Sequence, residues 1–135
     1  MGCMFKGCSS LRSINLDNIY TANVTDIGSM FSGCSSLKTI DMSDFITDNV
    51  TYMSGLFSEC KKLTNIDLSH FYTKNVKDMS YMFCGCTSLV SINLLNFDIE
   101  KVANMEKMFD ECPSLDKSSI ISNDIRLLTE LLAFD

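Results

Sequence analysis

A chain of 135 residues carrying 17 Asp and Glu against 11 Lys and Arg is one domain's worth of acidic polypeptide, with a formal charge of −6. That balance disfavours nucleic acid and anionic membrane as partners. A hydrophobic content of 46% is ample for a continuous core, a single Pro and six Gly argue against disorder, and the apolar run Leu131 to Phe134 falls far short of the ~20 residues that a spanning helix needs.

The N-terminus is abrupt. Met4 and Phe5 already belong to the middle of a repeating unit, and no basic-then-apolar leader precedes them. Gly2-Cys3 has the look of a lipidated start, but the myristoylation pattern asks for Ser or Thr where Lys6 stands. The beginning reads as an array cut from a longer one.

From there the unit recurs every 26 residues without insertion: Met4, Met30, Leu56, Met82 and Met108, each followed by Phe5, Phe31, Phe57, Phe83 and Phe109. Cys8, Cys34, Cys60, Cys86 and Cys112 keep the same step, as do Leu11, Leu37, Leu63, Leu89 and Leu115. Fixed-period self-similarity marks a solenoid, in which each repeat buries its apolar face only against its neighbours. Within one unit, Ile40-Asp41-Met42 alternates as a half-buried strand does, whereas Val50, Met53, Phe57 and Cys60 are spaced three, four and three. The latter spacing predicts a helix of two to three turns, capped by Asn49 or Thr51, with Gly33 closing an earlier copy in a left-handed conformation. The expected fold is an α/β repeat: a short right-handed solenoid with one strand and one short helix per coil, about 20–25 Å long at the parallel-strand spacing.

The strand cores Leu11-x-x-Ile14-x-Leu16, Leu37-x-x-Ile40-x-Met42, Leu63-x-x-Ile66-x-Leu68 and Leu89-x-x-Ile92-x-Leu94 are similar to those of leucine-rich repeats. The stretch IDLSHFYTKNVKDMSYMFCGCTSL resembles, more narrowly, the repeat of BspA-like leucine-rich-repeat surface proteins. That resemblance runs from Met4 to Leu115 and implies a protein-binding scaffold at the cell surface or outside the cell, in adhesion or host recognition. One departure stands out. Where the usual pattern has Asn or Cys, this chain has Ile19, Phe45, Phe71 and Phe97, so the corner is expected to be packed by an apolar wedge.

After Leu115 the register decays, with Ser118 and Asn123 at the positions of Ile92 and Phe97. The last segment reads as an amphipathic helix begun by Ser122 or Asn123, with Ile125, Leu128, Leu131 and Leu132 on one face. Residues 1–115 thus form the solenoid and 116–135 its C-terminal cap, with a docking helix for another protein as the secondary reading.

Five of the seven cysteines lie in one inward column, where a buried thiol behaves as a small apolar residue; Cys3 and Cys84 lie off it. Successive rungs stand too far apart for disulfides, and the odd count points to reduced thiols, which sits uneasily with a surface location and leaves an intracellular one open. A metal site at Cys84-Gly-Cys86 lacks a second ligand cluster, since His70 is the only histidine. No catalytic, cofactor or metal residue is named. Asp41 and Asp67, flanked by Asn15 and Asn93, read as a solvated face rather than a cation or acid–base site.

Two polar columns, Thr21, Thr47, Thr73 and Asn23, Asn49, Asn75, read first as an Asn ladder serving buried backbone. A threonine ladder that orders water is the alternative. Asn23-Val-Thr25 and Asn49-Val-Thr51 also match the glycosylation acceptor pattern. Partner recognition is expected where the repeats differ: the stripe Tyr20, Ile46, Tyr72, the strand-face residues Arg12 and Lys38, and His70 at the corner. The competing class is a structural, self-assembling module. If the chain is complete as given, Phe5, Leu11, Ile14 and Leu16 are expected to leave an open N-terminal end that recruits a second copy, as a two-fold dimer; in a longer array the preceding repeats would cover the same surface.

Overall fold

The computed structural model describes residues 1–132, with side chains through Thr129; the side chains of Leu131, Leu132 and Phe134, part of the expected cap, lie outside the described residues. The chain winds into stacked coils of 26 residues. On one side runs a parallel sheet of three short strands, β1 (Asn65–Asp67), β2 (Ser91–Asn93) and β3 (Ile120–Ile121), in that order. Ile66 pairs with Ile92, which pairs in turn with Ile120. One strand per coil is therefore only partly realised. The equivalent segments of the first two coils form no strand: Lys38 reaches the Arg12 carbonyl at 3.4 Å, and Ile14 and Ile40 stay half-buried where Ile66 and Ile92 are buried.

The short helix expected in each coil is replaced by a run of turns, for a reason visible in the amides. Met30, Ser32 and Cys34 donate three residues back, to Ile27, Ser29 and Phe31, at 3.3, 3.2 and 3.1 Å. The amides between them, from Ser29, Phe31 and Gly33, donate across to Ser54, Leu56 and Ser58 of the next coil at 2.8, 3.0 and 2.8 Å. An α-helix needs every φ near −60° and every amide bonded within the helix. Here two positions per coil hold positive φ: Cys3, Ser29, Gly55, Tyr81 and Lys107 in one column, and Gly7, Gly33, Glu59, Gly85 and Glu111 in the other. Positive φ at the third residue is what a type II turn demands. The helix-like spacing nonetheless marks the inner face correctly, since Val50, Met53, Phe57 and Cys60 are all buried.

Columns of identical residues fill the interior. The rings of Phe5, Phe31, Phe57, Phe83 and Phe109 stack with successive centroids 5.5, 5.7, 5.9 and 5.2 Å apart, in nearly parallel planes. Leu37, Leu63 and Leu89 are fully buried beside them. The corner wedge forms as expected: Phe45, Phe71 and Phe97 are buried, and the last two stack at 6.5 Å.

At the C-terminus the register does not decay but slips by two. A 3₁₀ turn, Lys117–Ser119, with the Asp116 carboxylate accepting from the Ser118 amide, takes up two extra residues. Ile120, not Ser118, then lies beside Ile92. The single helix among the described residues, α1 (Ile125–Leu132), is capped by Asp124, whose carboxylate accepts the Arg126 amide at 2.9 Å. Ser122 instead accepts the Asp124 amide. The apolar face also differs from expectation: Leu127 is fully buried, Leu128 half-buried, and Ile125 is 78% exposed.

Three substitutions separate the causes of this fold in urea denaturation. Phe57→Ala, which empties a place between two stacked rings, is expected to cost about 3–5 kcal/mol. Gly85→Ala, which puts a Cβ on a residue at φ +77°, is expected to cost about 1–2 kcal/mol, whereas Glu111→Gly in the same column should stabilise by about 1 kcal/mol. Equal effects of opposite glycine changes would show that the left-handed column does not control the coil.

Candidate partner-binding surface

Tyr20, Ile46 and Tyr72 stand in one exposed column, at 72%, 47% and 56% of full accessibility. What holds Ile46 and Tyr72 is the threonine that follows the stripe residue one coil earlier. Thr21 is buried, and its hydroxyl both accepts the Ile46 amide at 2.8 Å and donates to the Ile46 carbonyl at 3.1 Å. Thr47 does the same for Tyr72, and Thr73 for Asp98. Each threonine thus satisfies both backbone groups of the stripe residue one coil on, leaving only its side chain to solvent. The polar ladder inside the corner is therefore threonine. Asn49 and Asn75 donate to the carbonyls of Ala22 and Asp48 from exposed or partly exposed positions. Buried hydroxyls of this kind leave no flat face for ordered water.

The column continues to Asp98, which opens onto a groove of about 490 Å³ between residues 95–98 and 123–126. Arg126 lies across it, 2.8 Å from Asp124 and 3.4 Å from Asp98, next to the exposed Ile125. An apolar stripe therefore ends at a charged notch. The spacing of the sequence did not indicate this neighbour, because α1 is placed by the two-residue slip.

The other expected recognition residues divide. Arg12 and Lys38 are exposed on the strand side. His70 is turned inward: its Nε2 bonds the Met42 carbonyl, and its ring meets Phe71 edge-on at 5.2 Å. Asp41 and Asp67 each accept the amide two residues on, from Ser43 and Ser69, at 2.9 Å. Bonds from those two serines hold both carboxyls below the usual range, which gives these aspartates a turn-forming role. Two aromatics were not singled out from the sequence. Tyr52 is 48% exposed in a column that bridges coils with Asp26 and Asp78, and Tyr81 lies under the Lys107 ammonium at 6.0 Å. Of the residues expected at an open N-terminal end, Phe5, Leu11 and Ile14 are half-buried and Leu16 is buried.

The cysteine column carries a bond as well as bulk. The thiols of Cys34, Cys60, Cys86 and Cys112 donate to the carbonyls of Phe5, Phe31, Phe57 and Phe83 in the preceding coil, at 3.0 to 3.3 Å. All seven cysteines are free thiols. Burial pushes Cys60 up to about 12 and Cys112 to about 11, and raises Cys34, Cys84 and Cys86 as well. No group of three metal-binding side chains forms among the described residues, and no helix there is long and apolar enough to cross a membrane.

A family model described as "Mycoplasma protein of unknown function, DUF285" matches residues 1–123. Among solved structures, the chain is similar to a leucine-rich cell surface protein from Faecalibacterium prausnitzii A2-165, with 23% identity and a TM-score of 0.50 over 92% of this chain and 36% of that one. A leucine-rich repeat protein of T. pallidum is 18% identical, with a TM-score of 0.41, over 96% of this chain and 74% of that one. One from Bacteroides ovatus ATCC 8483 is 22% identical, with a TM-score of 0.27, over 92% and 52%. No curated protein matches. The chain thus spans about a third of the length of the Faecalibacterium protein, and that likeness establishes a leucine-rich-repeat solenoid. The resemblance to BspA-like leucine-rich-repeat proteins read from the repeat holds.

Two measurements test this chemistry. With maleimide at pH 8, the exposed Cys3 and Cys8 should label rapidly while Cys60 stays unlabelled until denaturant is added, its thiolate fraction being on the order of one in ten thousand. Equal rates would place Cys60 outside the core. For Asp124, bonds from the Arg126 side chain draw the carboxyl from 3.8 down to about 2. A group lowered on folding contributes its stability above the unfolded value and loses it as pH falls through the folded one. The penalty of Asp124→Asn should therefore be full at pH 6 and shrink between pH 4 and pH 2; an unchanged penalty at pH 2 removes this carboxylate from the account.

Proposed function

The chain belongs to the family described as mycoplasma protein of unknown function, DUF285, and from that premise we propose that it is a non-enzymatic protein-binding module of a cell-surface leucine-rich-repeat protein, serving adhesion or host recognition. Residues 1–115 are its recognition array and 116–135 the segment that closes the array, with α1 over the last corner. The observation that carries this reading is the exposed stripe Tyr20, Ile46, Tyr72, in which buried Thr21 and Thr47 clamp the backbone of Ile46 and Tyr72. Interfaces favour rigid aromatic anchors, and a backbone already fixed loses little entropy on binding. Arg12 and Lys38 flank the array on the strand side, and the Asp98–Arg126 notch supplies charge at one end of the stripe. The surface location is supported by the printed description of the Faecalibacterium protein, itself a cell surface protein.

A panel of purified extracellular-matrix and cell-surface proteins, captured on this chain, tests the proposal. Binding should weaken more than tenfold when Tyr20, Ile46 and Tyr72 are all changed to Ser, since central aromatic anchors are each worth about 2 kcal/mol. The exposed Lys74→Ser, beside the stripe, should leave it nearly unchanged. Binding that survives the triple change moves the recognition face elsewhere.

A further inference from the structure

The stripe runs between two further columns. Two residues after each stripe position stand Ala22, Asp48, Lys74 and Glu100, with the buried Thr21, Thr47, Thr73 and Ile99 in between. Two residues before it stand Asn18, Asp44, His70 and Asn96. Asp44 accepts the Asn18 amide at 3.3 Å, and His70 and Asn96 bond carbonyls of the coil before, so this second column is committed to backbone. The first is not. Asp48 and Lys74 are exposed in neighbouring coils, and their side chains enter no hydrogen bond or ion pair among the described residues. Unpaired opposite charges thus stand on either side of the midpoint between Ile46 and Tyr72.

We propose that this side face binds a second copy of the chain, as a two-fold dimer whose coils run in opposite order. With the axis through that midpoint, Ile46 of each copy lies on Tyr72 of the other, and Asp48 faces Lys74 twice over. Tyr20 faces Asp98, where the groove between residues 95–98 and 123–126 has room for a phenol ring beside the Arg126 guanidinium. Such a contact is isologous, each residue meeting its counterpart in both directions. Other registers set like charges together: an axis at Ile46 puts Asp48 on Asp48, one at Tyr72 puts Lys74 on Lys74, and coils in the same order put Asp98 on Asp98. Like charges across an interface are disfavoured. The contact uses neither end of the array, unlike the dimer expected from the sequence. Four coils make a small face, so the dimer belongs to the weak class that buries less than about 1,200 Å² in total. A foreign partner and a second copy compete for the stripe, and in that consequence alone the proposal rests on the reading above.

Exchanging the two charges tests the register, with circular dichroism confirming that each variant folds. In sedimentation velocity from micromolar to millimolar concentration, the unmodified chain should pass from monomer to dimer and stop there. Asp48→Lys alone and Lys74→Asp alone should each raise the dissociation constant about tenfold or more, because two unlike pairs become two like ones. Mixing these two variants should restore the dimer as a one-to-one heterodimer, and the double exchange in one chain should restore it without a mixture. An unmodified chain that stays monomeric at millimolar concentration overturns the proposal, as does a dimer that neither single change weakens. On sparsely tethered chains, where no dimer forms, the panel of surface proteins reads the stripe by itself, so a failure there leaves the dimer measurement intact.

Discussion

Everything in this molecule depends on how each coil shares its amides. In the turn segment, alternate N–H groups close turns within the coil and the others cross to the next one. Because only every second amide crosses, the backbone keeps a compact, curved path and still forms a ladder with its neighbour. Two residues at positive φ per coil make this alternation possible, and a strict repeat brings them into register. An inserted residue in one unit would misalign the crossing amides along with the phenylalanine, leucine and cysteine columns. The constant period of 26 residues and the buried core are consequences of one hydrogen-bond pattern.

Buried polar atoms follow from the same constraint. A coil whose backbone turns inward at a corner must offer its amides and carbonyls a partner other than water, because a buried group left unpaired costs about 1–3 kcal/mol. Thr21, Thr47 and Thr73 meet this need on the stripe side, and the thiols of Cys34, Cys60 and Cys86 supply an extra donor to phenylalanine carbonyls in the core. No buried side-chain nitrogen or oxygen is left without a partner among the described residues. Where the threonine column ends, at Ile99, the link to the next residue in line runs the other way: the Ile99 amide donates to the Asp124 carboxylate. That one exchange joins the last regular coil to the helix cap, so the end of the ladder and the start of α1 are the same structural event.

The periodicity made the solenoid, the core columns and the apolar corner legible before any coordinates, because a strict period is a statement about which residues stack. It did not reveal the local path. Val50, Met53, Phe57 and Cys60 recur as a helix face would, and a chain of turns with three-residue closures buries the same side chains. The telling signal was Gly7, Gly33 and Gly85 in one column: a helix has no use for recurrent glycine in its interior, whereas a left-handed turn position does. Glu59 and Glu111 in that same column hide the signal, since they accept positive φ at a cost. The C-terminal slip was hidden differently. Ile120 falls two residues past the place where counting by 26 looks for it, and only the 3₁₀ turn explains the delay. Among the site residues, the exposure of Tyr20, Ile46 and Tyr72 could be read from the sequence, but the inward role of His70 could not.

The division of labour between columns explains why such a scaffold can vary its surface without losing its fold. Positions 21, 47 and 73 are constrained, because each hydroxyl serves two backbone groups of the next coil. The stripe residues they serve one coil on are Ile46, Tyr72 and Asp98, whose backbones are bonded identically whatever the side chain. A substitution in the stripe therefore changes what the surface presents without altering the ladder. The corner column of Asn18, Asp44, His70 and Asn96 is less free, since Asp44, His70 and Asn96 reach back to the backbone of the preceding coil. Variability along the chain thus has two meanings: at the corner it records different ways of making one structural bond, and in the stripe it is chemistry exposed to a partner.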